Sequence, residues 1–267
     1  CPHEVLVEEE GGRFGYCYEN GRLGEVIRRI QAIPGAALAG LHLHSSTQSR
    51  TPEVYAALAR MAVRIASEYD LHLSYVDMGG GYFGGRDDRP GYPDYFSAIC
   101  RELRAGFDPK ETLLIAEPGV SLISRGITFV TSVLDVKEIR GQVYLVTDGS
   151  RTNLNPLVTR HAYPHHMAYS DDPALRPVLP SQWVTGFTCM EYDRLFPIKD
   201  GPAMKPGDRV IYDTAGGYTM CLNPLFIHYL PAVYVTHRDG RLFRARAPWD
   251  VEEFLQKNYV EGEISHE

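Results

Sequence analysis

Three apolar runs in the first half of the chain each end in a polar or glycine-rich tip. The first, Leu38-Ala39-Gly40-Leu41-His42-Leu43, ends at His44-Ser45-Ser46-Thr47. The second, Leu73-Ser74-Tyr75-Val76-Asp77-Met78, ends at Gly79-Gly80-Gly81, and the third, Leu113-Leu114-Ile115-Ala116, ends at Glu117-Pro118-Gly119. Short apolar runs bounded by turn residues read as buried strands. Gly79 stands 35 positions after His44, Glu117 stands 38 after Gly79, and each gap holds one helical pattern. That rhythm predicts parallel strands whose tips share one edge. In a β/α barrel this edge is the active face.

The helical patterns are explicit. Residues 21–33 carry Leu23, Val26, Ile27 and Ile30 on one face, with Pro34-Gly35 as a stop. Residues 51–69 start with Thr51 as an N-cap candidate, Pro52 in the first turn and Glu53, and line Tyr55, Leu58, Met61, Ala62 and Ile65 along one face. Residues 95–107 form a third helical pattern, and residues 4–8 read as a further strand. Beyond Gly119, strand-like runs follow one another without helices, at 127–137, 143–146, 183–188, 209–212 and 232–236. Gly, Pro, Asn and Asp separate them, which predicts a mostly antiparallel β domain. Residues 163–182, rich in His and Pro, read as a loop, and 249–259 as a short helix. The expected fold is α/β plus β: part of a β/α barrel over 1–122, then a β domain over 123–267. Four parallel strands make half a barrel and leave two open edges. The pattern therefore predicts a further, N-terminal barrel half supplied by a segment outside this chain.

Composition narrows the function. The chain has 267 residues, of which 44% are hydrophobic and 23% charged, enough for one large domain or two smaller ones. A net charge of −7 argues against a nucleic-acid partner. No apolar run is long enough to span a membrane, and no signal peptide is visible. The five cysteines are scattered and form no Cys-x-x-Cys pair, so neither a zinc knuckle nor a disulfide framework is expected, and a cytoplasmic setting is the default. His161, His165 and His166 lack a cysteine or carboxylate at ligand spacing; they read as a solvated loop, and no metal site is expected.

The chemistry gathers at the shared edge. Glycines let backbone N–H groups approach a phosphate closely. A buried glutamate can hold a proton on a ring nitrogen, and an imidazole can stack on a flat ring. His44, Gly79, Gly80, Gly81 and Glu117 together therefore suggest a phosphorylated aromatic cofactor. His42, two positions before His44, shares its strand face and reads as a deeper, hydrogen-bonded support. Taken singly, each feature has a plainer reading: a polar strand end, a tight turn, a capping carboxylate.

Six motifs in order carry a resemblance. Arg13-Phe14-Gly15, His42-Leu43-His44, Asp77-Met78-Gly79-Gly80-Gly81, Glu117-Pro118-Gly119, Cys189-Met190-Glu191-Tyr192-Asp193 and Gly216-Gly217-Tyr218 are similar to motifs of the fold-type III pyridoxal-phosphate decarboxylases. That family includes the ornithine, diaminopimelate and arginine decarboxylases, built on an alanine-racemase-like barrel. The resemblance implies pyridoxal 5′-phosphate as cofactor and an amino acid as substrate. It implies that His44 stacks on the cofactor ring and Glu117 pairs with its nitrogen. It places Gly79, Gly80, Gly81 and Tyr218 at the phosphate, with Thr47 as a helper, and counts Gly119 among the cofactor-binding residues. Cys189 becomes the catalytic proton donor, reached across a homodimer interface.

The departures are as informative. The family's anchoring lysine lies upstream of Cys1, and none of Lys110, Lys137, Lys199, Lys205 and Lys257 sits in a matching motif. Val120 stands where the family has a phosphate-binding arginine. Met190 replaces an acid that binds a distal amine, and Arg160 aligns with a second such acid. With Asp193, these make the candidate substrate contacts. The implied function is decarboxylation of an amino acid whose distal end is a carboxylate or acyl group. The alternative is a catalytically silent regulatory or binding homologue of the same fold.

Overall fold

The computed structural model describes residues 14–44, 50–84, 88–157, 163–256 and 258. The candidate strand at 4–8, and with it Arg13, Thr47, Arg160, His161 and Lys257, lie outside them. The chain divides into two compact units. One comprises Cys1–Thr128 with Thr214–Gly217, and the other Phe129–Asp213 with Tyr218–Glu267.

The first unit alternates helix and strand: α1 (Arg22–Gln31), β1 (Gly40–His42), α2 (Pro52–Glu68), β2 (Tyr75–Asp77), α3 (Tyr92–Leu103), β3 (Leu113–Ile115) and the single-turn α4 (Val120–Ile123). The strands form one parallel sheet in the order β1-β2-β3, with Leu41, Val76 and Leu114 side by side. Pro52 begins α2 where a missing N–H does no harm. Thr51 holds the N-cap position, but its hydroxyl makes no capping bond and is buried without a partner among the described residues. Small residues on the buried face of α2, Ala59 and Ala62, sit beside Tyr55 and Ile65. On α3 the buried Tyr95, Ile99 and Leu103 recur every four residues, one stripe of an amphipathic helix. Its start is fixed by the Gly91 N–H donating to the Asp94 carboxylate at 2.8 Å. These stripes meet Val76 and Met78 of the sheet in one core.

The second unit is a six-stranded sheet and a hairpin. Its elements are β4 (Phe129–Ile139), β5 (Gln142–Thr147), α5 (Arg151–Leu154), β6 (His165–Ala168), β7 (Val178–Thr185), β8 (Arg194–Pro202), β9 (Arg209–Tyr212), β10 (Val233–Thr236), β11 (Leu242–Arg246) and α6 (Val251–Leu255). The sheet order is β6-β9-β4-β5-β7-β8, antiparallel except where β5 pairs with β7, and β10 pairs with β11. The long β4 pairs with β9 over its first half and β5 over its second, its register shifting between Val133 and Asp135.

Three expectations need correction. The stretch read as a histidine-rich loop contains β6, where the His165 ring stacks on Phe196 at 3.9 Å and His166 Nδ1 lies 3.1 Å from an Asp213 carboxylate oxygen. The sequence pattern does not announce β8 or β11, because Pro197, Asp200 and Gly201 break the pattern of the first and Arg244 and Arg246 that of the second. The short helix expected over 249–259 forms, but only as the five residues of α6 (Val251–Leu255), started by the Asp250 side chain accepting from the Glu252 N–H at 2.8 Å.

Candidate functional site

The parallel sheet delivers His42, Asp77 and Glu117 to one edge. His42 and Asp77 are register partners at the ends of β1 and β2. The hydrogen-bond ladder continues past the strand ends: Leu43 N–H donates to Asp77 O at 2.8 Å, Met78 N–H to Ile115 O at 3.0 Å, and Glu117 N–H to Gly79 O at 2.8 Å. Asp77 lies at the centre. Its Oδ2 is 2.9 Å from His42 Nδ1, its Oδ1 accepts from the Gly79 N–H at 3.0 Å, and the polar atoms of His42, Asp77 and Glu117 all lie within 4.8 Å of one another. Burial pushes the Asp77 carboxyl upward. The hydrogen bonds from His42 and the Gly79 amide, the His42 charge and the Glu117 carboxyl outweigh it and hold Asp77 below the ordinary carboxylate range.

The glycine run is a close-packed loop. Gly79 has φ +60°, and a Cβ there would stand 2.7 Å from Nδ1 of His44. A Cβ on Gly80 would meet the Glu117 carbonyl oxygen at 2.6 Å. Only glycine lets β2's extension pass under His44 and beside Glu117. The Gly79 N–H is taken by Asp77, while the Gly80 and Gly81 amides donate to nothing among the described residues. Two neighbouring undonated N–H groups in a loop without side chains form a cradle suited to an anion. From α3, Tyr92 donates to the Ser121 hydroxyl of α4 at 2.9 Å, tying that helical turn in beside the loop.

Not every expected residue behaves as the sequence suggests. Glu117 is exposed, not buried, because it lies two residues past the end of β3, where the sheet stops covering it. His42 is half-exposed as well as hydrogen-bonded, and His44 and Gly119 are exposed. Val120 lies against Gly217, whose φ of +99° and tight approach leave no room for a Cβ. The sequence pattern places Asp77 at the head of the glycine motif but assigns it no partner. The available signal was its position, matching His42 as the last residue of neighbouring strands.

The second unit carries the remaining candidates. Cys189 is exposed with a free thiol on the loop after β7, next to the half-buried Met190. Asp193 is buried, and its carboxylate accepts from the Arg151 N–H at 2.7 Å, the Thr188 N–H at 3.1 Å and the Thr188 hydroxyl at 2.6 Å. Its carboxylate therefore organises the Cys189 loop from beneath. Tyr218 is half exposed, with φ +64°.

Residues 25–216 match the model of the pyridoxal-dependent decarboxylase, C-terminal sheet domain, and the chain belongs to that family. It is 28% identical over 227 residues to a carboxynorspermidine/carboxyspermidine decarboxylase of Herminiimonas arsenicoxydans, covering 84% of this chain and 56% of the relative. It is 24% identical over 221 residues to antizyme inhibitor 2 of Xenopus laevis, covering 77% of this chain and 46% of the relative. Its fold matches the crystal structure of a diaminopimelate decarboxylase from M. jannaschi with a TM-score of 0.77 at 19% identity, over 94% of this chain and 59% of the other. The chain spans about half the length of the curated relatives it matches. The family's cofactor is pyridoxal 5′-phosphate, and the site fits it: a side-chain-free cradle with two undonated amides, an imidazole packed over it and a carboxylate beside it.

No helix among the described residues is long and apolar enough to cross a membrane.

Proposed function

We propose that the complete protein decarboxylates an amino acid using pyridoxal phosphate, and that this chain holds the cofactor's ring and phosphate. The observation that carries the reading is the meeting of His44, Gly79–Gly81 and Glu117 at one end of a parallel sheet. When bound, pyridoxal phosphate supplies the sink for the electron pair left by departing CO2. The Gly80 and Gly81 amides bind its phosphate, with Gly119, Tyr218 and Thr47 as further contacts. His44 covers one ring face. Glu117 holds a proton at the ring nitrogen. Cys189 donates a proton to the carbon that has lost CO2, from a second copy in a homodimer.

The anchoring lysine lies outside residues 1–267 in this reading. Lys110 is the one lysine in the first unit, and it precedes β3, at the opposite end of the strands from Glu117. The four free cysteines among the described residues suit a reducing, cytoplasmic setting.

The distal end of the substrate is a carboxylate or acyl group. Met190 offers no charge to a distal ammonium, and Arg160 suits a carboxylate through its two-pronged donor geometry. Asp193 supports this contact through the loop it organises. A second reading, a silent regulatory homologue, is favoured by Val120 at the position of the family's arginine and by the match to an antizyme inhibitor.

One experiment separates these. The complete protein is mixed with pyridoxal phosphate, its visible spectrum recorded, borohydride added and the labelled peptide identified. It is then assayed for CO2 release on ornithine, lysine and amino acids with distal carboxylate or acyl groups. The proposal expects a visible band, a label outside residues 1–267, and turnover of the carboxylate or acyl class. Cofactor binding without CO2 release from any of them supports the silent homologue. Efficient turnover of ornithine, unchanged by Arg160→Ala, overturns the substrate assignment.

A further inference from the structure

We propose that Tyr55 is a positioning residue for the anion cradle: its hydroxyl sets the Gly80–Gly81 peptide so that the Gly81 N–H faces the cofactor's phosphate. This rests on the reading that residues 79–81 hold that phosphate. Tyr55 lies on the buried face of α2, and its hydroxyl donates to the Gly80 carbonyl at 2.6 Å. In a trans peptide the C=O and the following N–H point to opposite sides. Drawing the Gly80 oxygen toward α2 therefore turns the Gly81 N–H away from that helix. The peptide before it is held in the same manner, because the Glu117 N–H donates to the Gly79 oxygen at 2.8 Å and so directs the Gly80 N–H away from Glu117.

The loop needs such pins because of its composition. Gly79 and Gly81 have φ of +60° and +97°, and three successive glycines have no side chain to stop a peptide from turning over. Tyr55 can serve because its ring is clamped. It stacks on Tyr82 with centroids 4.7 Å apart and meets Tyr95 edge-on at 5.1 Å. Tyr95 in turn accepts from the Phe83 N–H at 3.3 Å and donates to the Arg50 carbonyl at 2.5 Å, so the loop's far end is tied to the same cluster. Burial pushes the Tyr55 hydroxyl up to about 12, so it remains a donor across the working pH range.

The test compares wild type and Tyr55→Phe in the complete protein. Phe keeps the ring cluster and removes only the donor. Dissociation constants are measured for pyridoxal phosphate and for pyridoxal, which shares the ring and lacks the phosphate. The expected result is a roughly tenfold weaker affinity for pyridoxal phosphate with pyridoxal unchanged. Equal weakening of both ligands, or of neither, overturns the assignment. If wild type binds both ligands equally tightly, the phosphate reading itself fails, a result distinct from failure of the Tyr55 role. A second measurement does not depend on the variant folding. In glycine-labelled wild type, inorganic phosphate is expected to shift the amide resonances of both Gly80 and Gly81, and a Gly81 amide that does not respond overturns the proposal.

Discussion

Asp77 Oδ2 and His42 Nδ1 lie 2.9 Å apart across the ends of neighbouring parallel strands. Parallel pairing brings them level, and the same carboxylate then caps the Gly79 amide. One side chain thus ties a strand end, a neighbouring strand end and the glycine loop together.

Asp77→Ala leaves the Gly79 N–H and the His42 imidazole without their shared acceptor. The expected loss of stability is about 1–3 kcal/mol, read by urea denaturation, with weaker binding of pyridoxal phosphate. Asp77→Asn keeps an oxygen for Gly79 and should lose less. Equal losses in the two variants would show that the Gly79 bond contributes nothing.

Glu117→Gln keeps the shape of an exposed side chain and removes its charge. Under the proposed decarboxylase reading, turnover by the complete protein should fall on the order of a hundredfold or more, while the thermal midpoint barely moves, because no core contact is lost. Wild-type turnover in this variant would remove Glu117 from the ring nitrogen.

Gly80→Ala drives a methyl against the Glu117 carbonyl, 2.6 Å from where the new Cβ must stand. Backbone on both sides has to shift, at a stability cost of roughly 1–3 kcal/mol. Cofactor affinity should drop far more than in Gly141→Ala, where the turn has nothing within 4 Å of the added atom. Spectroscopic titration of both variants with pyridoxal phosphate makes the comparison.

The β unit should be acid-sensitive through Asp208. Its carboxylate is fully buried and bonded to Arg176, with the Ser170 and Lys205 amides donating to it at 2.8 Å each. Burial pushes its pKa up, but the Arg176 and amide hydrogen bonds prevail and hold it far below the ordinary range. A depressed folded pKa means stability that is fully present above the unfolded value of about 3.9 and lost as pH falls below it. Wild type should therefore lose stability steeply below about pH 4. Asp208→Asn should be less stable at pH 7, by several degrees in thermal midpoint, with a flatter acid limb. An unchanged acid limb in scanning calorimetry would assign the sensitivity to other groups.

Much of the first unit was legible in the chain. Periodicity is local, so the stripe of Tyr55, Ala62 and Ile65 and the run Leu113 to Ala116 announce a helix and a strand without reference to distant residues. The order of strand, helix and strand then requires parallel pairing, which sends His44, the glycines and Glu117 to one edge. What tertiary structure alone decided is register and burial. That Asp77 faces His42, that Tyr55 reaches Gly80 across 25 positions, and that Asp193 turns inward to hold the Cys189 loop depend on where elements pack. Strands such as β8 and β11 form because a neighbour supplies hydrogen-bond partners, which overrides the breakers in their own sequence. Glu117 is exposed for a similar reason: four apolar residues precede it, but the sheet ends before reaching it. A sequence lists its donors and acceptors, and only the folded backbone determines which of them meet.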